Sequence, residues 1–164
     1  PVQLTEAGRE IADRVIRRHA ALKEFFLEIL GLPVDAASET ACKLEHIVNE
    51  DAIERFLLFT KAIGTREDAK ALKTHLTEAM ELLDQGRLKE LKLLSELQPG
   101  TRAEIVRIGR NVANPAALPF SEGDALLLQC FSLDKTSLTL AVGDRTDSVA
   151  LSDAENVWVR PLPG

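Results

Sequence analysis

Cysteine is scarce in this chain of 164 residues: there are two, Cys42 and Cys130, and they lie far apart. Such a pair builds no disulfide framework, and a reducing cytoplasm is the natural home. Long apolar runs are missing too. Stretches such as Phe25–Phe26 and Ala125–Leu128 last only a few residues, so neither a membrane-spanning helix nor a signal peptide can be drawn on the sequence. Basic charge is not in excess. Lys+Arg number 20 against 26 Asp+Glu, a net charge of -6, and an acidic chain repels phosphate backbones. Common catalytic signatures are also absent: there is no Gly-rich phosphate loop, no G-x-S-x-G, no H-E-x-x-H and no C-x-x-C. An enzyme, a small-molecule substrate and a membrane partner are therefore not expected. The chain opens at Pro1 rather than Met, as expected of a piece of a longer protein.

What is present is an ordinary globular composition, 45% hydrophobic, with a change of period near residue 90. The expectation is an α+β protein of two domains: a helical one over 1–90 and a small β-barrel over 91–164. Helix one is expected from Thr5 to Leu30, with Ile11, Val15, Leu22, Phe26 and Ile29 as its apolar stripe, and with Gly31 and Pro33 to stop it. Helix two should run from about Ala36 to Val48, with Asp35 as N-cap. Helix three should run from Glu50 to Ile63 and end at Gly64. Helix four should open on Thr65-Arg66-Glu67-Asp68, a capping-box variant. Its stripe would be Leu72, Leu76, Ala79, Met80 and Leu83, and Gly86 would end it.

The second half has strand-like runs at Ala103–Ile108, Ala125–Phe131, Ser137–Val142, Ser148–Leu151 and Asn156–Val159. They are separated by Gly109, Gly123-Asp124, Asp134-Lys135 and Gly143-Asp144. Five short strands in so few residues predict a closed or half-closed barrel. Trp158 and Cys130 alternate like core residues. Asp144 and Asp147 flank a turn and read as solvated.

The most informative cluster is Cys42-Lys43-Leu44-Glu45-His46. Positions i, i+3 and i+4 share a helix face, so a thiolate, a carboxylate and an imidazole would converge, and these are transition-metal ligand types. The plainer reading is a buried cysteine beside a surface Glu–His pair. His19, near the apolar stripe of helix one, reads either as a satisfied core histidine or as a further ligand. His75 has no ligand-type neighbours and reads as solvent-facing or structural. Arg14, Arg17 and Arg18 read as a solvated basic face pairing with Asp13 and Glu10.

Four motifs then fall in one order: Leu4-Thr5-Glu6-Ala7-Gly8-Arg9-Glu10-Ile11-Ala12, Arg17-Arg18-His19, Leu30-Gly31-Leu32 and Ala41-Cys42-Lys43-Leu44-Glu45-His46. Together they resemble the metal-binding and dimerisation domain of the diphtheria-toxin-repressor (DtxR/MntR) family of metal-dependent transcriptional regulators, over residues 1 to about 60. Residues 94–108 resemble the opening of a FeoA-type, SH3-like domain, a module that follows the dimerisation domain in such regulators. The resemblance implies an SH3-like β-barrel over 91–164, a homodimer and metal binding by Cys42, Glu45 and His46 as the effector site, with His19 matching the helix-one histidine that contributes to the second or binuclear metal position. It implies Fe²⁺ as the effector, with Mn²⁺, Co²⁺, Ni²⁺ or Zn²⁺ as substitutes. The thiol at Cys42 resembles the iron-responsive branch, and sulfur favours softer ions than Mn²⁺.

Lys23 and Ser38 stand where family members often have a glutamate and a histidine, so the second metal position is expected to be altered, with Glu24 or Glu39 as the nearby carboxylates. The family's winged helix-turn-helix precedes the Leu-Thr-x-x-Gly motif, so it is expected to be missing from this stretch, together with one ligand from its first helix. DNA contact would come only through that domain. Two other readings stand beside this one: a FeoA-like protein-interaction module on a dimeric helical scaffold, and a metalloenzyme using Cys42, Glu45 and His46. The second would need an open coordination position in a substrate-sized pocket.

Overall fold

The computed structural model describes residues 5–163. The chain divides into two compact units, the first ending at Met80 and the second starting at Glu81. Helices fill the first and an antiparallel sheet fills the second, an α+β architecture. Leu4, which opens the first of the four motifs, lies outside the described residues. No helix among the described residues is long and apolar enough to cross a membrane.

In the first unit, α1 runs Glu6–Glu28. Thr5 caps it by accepting a hydrogen bond from the Gly8 amide at 3.1 Å. Only the C-terminal half of the expected stripe is buried: Ala21, Leu22, Phe26 and Ile29 are buried, whereas Ile11 is 60% exposed. The helix α2 runs Val34–Leu44, and Pro33, not Asp35, occupies its N-cap. Proline presets the backbone for the first turn without needing a side-chain cap. Ala37 and Ala41, one turn apart, are fully buried, and their small size lets α2 lie close on α1. Leu22, Phe26 and Ile53 complete this core. A side chain buried like Leu22 contributes about 1.5–3 kcal/mol.

The expected second helix continues to Val48, but the observed one ends at Leu44. Residues 45–48 form a turn in which the Ile47 and Val48 amides both donate to the Leu44 carbonyl at 3.0 Å. The cause lies downstream. Asn49 caps α3 (Glu50–Thr65) by accepting from the Ala52 amide at 2.9 Å, with Glu50 and Asp51 favourable at the positive end of the helix dipole. A new helix start at Asn49 requires the old one to finish first. Neither Gly nor Pro marks that break.

The third helix continues through Gly64 to Thr65. Thr65 therefore is not a cap for the next helix: its hydroxyl donates back to the Lys61 carbonyl at 2.8 Å. A 3₁₀ turn at Glu67–Ala69 leads into α4, Lys70–Asp84. Its expected stripe is displaced, since Ala69 and Leu82 are buried while Leu72 and Leu83 are 47% and 48% exposed. Gly86 ends the helix as predicted. Its φ of +69° suits a Schellman turn, in which Gly86 N–H bonds Leu83 O and Arg87 N–H bonds Leu82 O.

The second unit holds β1 (Lys92–Leu93), β2 (Arg102–Ile108), β3 (Ala125–Phe131), β4 (Ser137–Val142), β5 (Arg145–Ala150), the short α5 (Leu151–Ala154) and β6 (Val157–Pro161). The two-residue β1 carries no alternation that could reveal it. All ladders are antiparallel, in the order β1-β6-β2-β3-β4-β5. Ile105, Leu126, Leu128, Leu138, Leu140, Val149, Val157 and Val159 share one core, as in a half-closed barrel. Cys130 is exposed, against expectation. A bulge between Leu128 and Cys130 shifts the register, so that Phe131 packs on the core instead. Trp158 is buried, yet it alternates with Val157 and Val159 and so faces the other side of the sheet. Within this unit Glu81 accepts from Arg107 and Arg110, each at 2.7 Å.

Because the Asn49 cap ends one helix and starts another, Asn49→Ala should destabilise the helical unit by about 1 kcal/mol. A urea titration followed by far-ultraviolet circular dichroism measures this.

Candidate metal centre

Two of the singled-out residues are set by the turn between α2 and α3. Cys42 lies in the last turn of α2, Glu45 is that helix's C-cap and His46 follows in the turn. The three therefore do not share one continuous helix face. Glu45 is buried, with its side chain 8% exposed, whereas Cys42 is exposed. This reverses the plainer expectation for Cys42 and Glu45, whereas the His46 side chain is 65% exposed, as that reading expects.

A buried carboxylate is costly unless its oxygens are satisfied. Here each oxygen faces an imidazole. His19, from α1, lies with Nδ1 2.8 Å from Glu45 Oε2, and His46 Nε2 lies 3.3 Å from Oε1. A carboxylate oxygen accepts, so in this pair the His19 Nδ1–H is the donor, and the ring's Nε2 lies on the side away from Glu45. The structure thus brings His19, Glu45 and His46 together across 27 residues of sequence, and leaves Cys42 one turn earlier on the same helix. Among the described residues, no three His, Cys, Asp or Glu side chains are grouped closely enough to hold an ion.

The donor chemistry nevertheless suits a divalent transition ion. Two imidazoles, a carboxylate drawn out of water and a nearby thiol are the ligand types such ions take. The positions near a second site are less suited. Lys23 and Ser38 bring no anionic or imidazole ligand, Glu24 is exposed, and Glu39 is engaged by Lys43 at 2.6 Å on the surface.

The turn is gripped from α1. Arg18 donates from Nε to Glu50 Oε2 at 3.0 Å and from Nη1 to the Glu45 carbonyl at 3.4 Å. Arg17 also pairs with Glu50. The Arg18 guanidinium, with Arg17 assisting, holds the Glu50 carboxyl below the usual carboxylate range.

These residues lie within a segment that is similar to known proteins. Residues 5–71 match the family described as iron dependent repressor, metal binding and dimerisation domain. The likeness is confined to that segment, less than half of the chain. An uncharacterized HTH-type transcriptional regulator of Methanocaldococcus jannaschii is 43% identical over 58 residues, which are 35% of this chain and 46% of that protein. The iron-dependent repressor IdeR of Mycobacterium tuberculosis is 37% identical over 57 residues, 35% of this chain and 24% of that protein. The chain thus spans less than half the length of either relative. Among solved structures, an iron uptake regulatory protein, FeoA, is similar at 22% identity and a TM-score of 0.39, covering 44% of this chain and 97% of that one.

The helical unit also carries an aromatic surface. Phe25 lies 4.7 Å from Phe56 and 6.3 Å from Phe59 between ring centroids. With Ala52 and Arg55 these rings line an open hollow of about 430 Å³. Phe59 and Leu58 are 48% and 70% exposed.

Arg17 remains 57% exposed, as a solvated face requires, but the expected pairing of Arg17 and Arg18 with Asp13 and Glu10 is overturned. Their partner is Glu50, 32 residues beyond Arg18, and no local spacing announces it. The link should persist at neutral pH and weaken as pH falls through the lowered Glu50 pKa, since a depressed carboxyl stabilises only while ionised. Carboxyl-carbon NMR should show Glu50 titrating below the usual carboxylate range, and rising toward that range in Arg18→Ala.

Proposed function

We propose that this chain is the sensing and dimerising portion of an iron(II)-dependent transcriptional regulator of the reducing cytoplasm, rather than an enzyme. The observation that carries this reading is the Glu45 carboxylate, buried at a helix end and faced on each oxygen by a histidine from a different segment. Cys42, Glu45 and His46 are the residues that would hold the ion, and His19 would join them only by exchanging its Nδ1 bond to Glu45 for a bond to the ion. Bound Fe²⁺ would supply Lewis-acid bonds that cross-link α1 to the turn after α2. Other divalent ions, such as Mn²⁺, Co²⁺, Ni²⁺ or Zn²⁺, could take its place, with the thiol favouring the softer ones.

The side chains prepare such a site without help. The Nδ1 bond to Glu45 fixes the ring of His19 and the carboxylate against each other, a pairing that raises ligand basicity and sets orientation. Burial of Glu45 lowers the local dielectric and strengthens any charge interaction made there. Reading of DNA is assigned to a winged helix-turn-helix domain of the whole regulator, in keeping with the acidic balance of this stretch. Sensing works only if the ion prefers the DNA-competent arrangement. A hundredfold preference is worth about 2.7 kcal/mol.

Protein purified anaerobically and loaded with Fe²⁺ should hold about one ion per chain by elemental analysis, because the second position lacks its ligands. Glu45→Gln, Cys42→Ser and His46→Ala should each weaken binding by roughly tenfold or more. A wild-type chain that retains no divalent ion sinks the reading.

Homodimerisation is assigned to the aromatic surface of Phe25, Phe56 and Phe59. An apolar hollow beside half-exposed phenylalanines is the sort of patch that a monomer seldom leaves in water. In a two-fold dimer it would meet its own copy, burying about 1,600 Å² in total. Sedimentation at micromolar concentration should show a dimer of the 18.0 kDa chain, and Phe59→Glu should convert it to monomer.

A further inference from the structure

The geometry points to Arg18 as a positioning residue that holds the Glu45–Val48 turn in place and links it to the start of α3. This rests on the metal-centre reading above but concerns a side chain that is not itself a ligand. The last carbonyls of a helix have no intrahelical donor, and the negative end of the helix dipole collects there. Arg18 meets both needs at once. Its Nη1 donates to the carbonyl of Glu45, the C-cap residue, and its Nε donates to Glu50, the first residue of α3. One rigid guanidinium on α1 thus spans the whole turn that delivers Glu45 and His46. The Arg18 side chain is only 20% exposed, against 57% for Arg17, so it loses little of its grip to water. Arg17 reaches Glu50 and Glu54 but makes no bond to Glu45, which makes it the internal control.

Lysine cannot replace the fork. An ammonium lacks the planar, two-sided donor geometry that lets one group serve a carbonyl and a carboxylate in fixed directions. An Arg18→Lys chain should therefore fall between wild type and Arg18→Ala.

Two measurements test this on the full chain. In the first, Co²⁺ is titrated and followed by its visible d–d absorption. Arg18→Ala should weaken binding by roughly tenfold with an unchanged band shape, as expected of a group outside the ligand set. Arg17→Ala should stay within about twofold of wild type, the scale of an exposed pair. The second is amide hydrogen exchange without added metal. The Ile47 and Val48 amides, both bonded to Leu44 O, should exchange faster in Arg18→Ala and not in Arg17→Ala. If Arg18→Ala does not fold, Arg18→Lys is read by the same criteria.

Wild-type affinity and exchange in Arg18→Ala would overturn the assignment. So would an equal loss in Arg17→Ala, which would mean that general charge and not the fork matters. A changed Co²⁺ band would also overturn it, because the ligand set would then have been altered. If wild type binds no Co²⁺, the metal-centre reading fails on its own, and exchange at Ile47 and Val48 decides the clamp by itself.

Discussion

A carboxylate taken out of water at the end of a helix is the constraint around which the first unit is arranged. Glu45 cannot be buried at the α2 C-cap unless something satisfies its oxygens and its backbone carbonyl. All the partners come from outside α2. His19 and His46 face the oxygens, and Arg18 faces the carbonyl. Two of those three lie on consecutive positions of α1. The packing of α1 on α2 through Leu22, Phe26, Ala37 and Ala41 is therefore what makes the polar cluster possible. The apolar core sets the separation of the helices, and the polar groups use it.

From the same turn α3 begins. Asn49 caps it, Arg17 and Arg18 hold its first residue, and its further face carries Phe56 and Phe59. Nine helical residues separate Glu50 from Phe59, a rise of about 13 Å along one rigid rod. Whatever shifts the turn moves one end of the rod that bears the aromatic surface. This is a physical route from the candidate metal centre to the candidate dimer contact, and it needs no chain of correlated side chains.

In the second unit, backbone irregularities decide which side chains face the core. The bulge after Leu128 turns Cys130 outward and brings Phe131 in. The Gly143 φ of +60° suits the first central position of a two-residue hairpin turn, which holds β4 and β5 in register. An exposed thiol at Cys130 is therefore a consequence of register.

Much of the architecture follows from local pattern alone. Helical and strand periods separate the two units, Gly86 stops α4, and the turn signals locate five of the six strands, because each depends on neighbours within a few residues. The ligand types at Cys42, Glu45 and His46 were likewise legible, since they sit within five positions. Other features depended on distant groups. The end of α2 at Leu44 is imposed by a cap five residues later. The burial of Glu45 depends on α1 lying alongside. The pairing of Arg18 with Glu50 joins residues that no sequence period relates. The stripe of α4 was misplaced for a similar reason, because the face a helix buries is chosen by what packs against it. Composition and spacing determine which groups are available and which elements they ride on. Only the tertiary structure decides which of them leave water together, because burial is a property of the assembled helices.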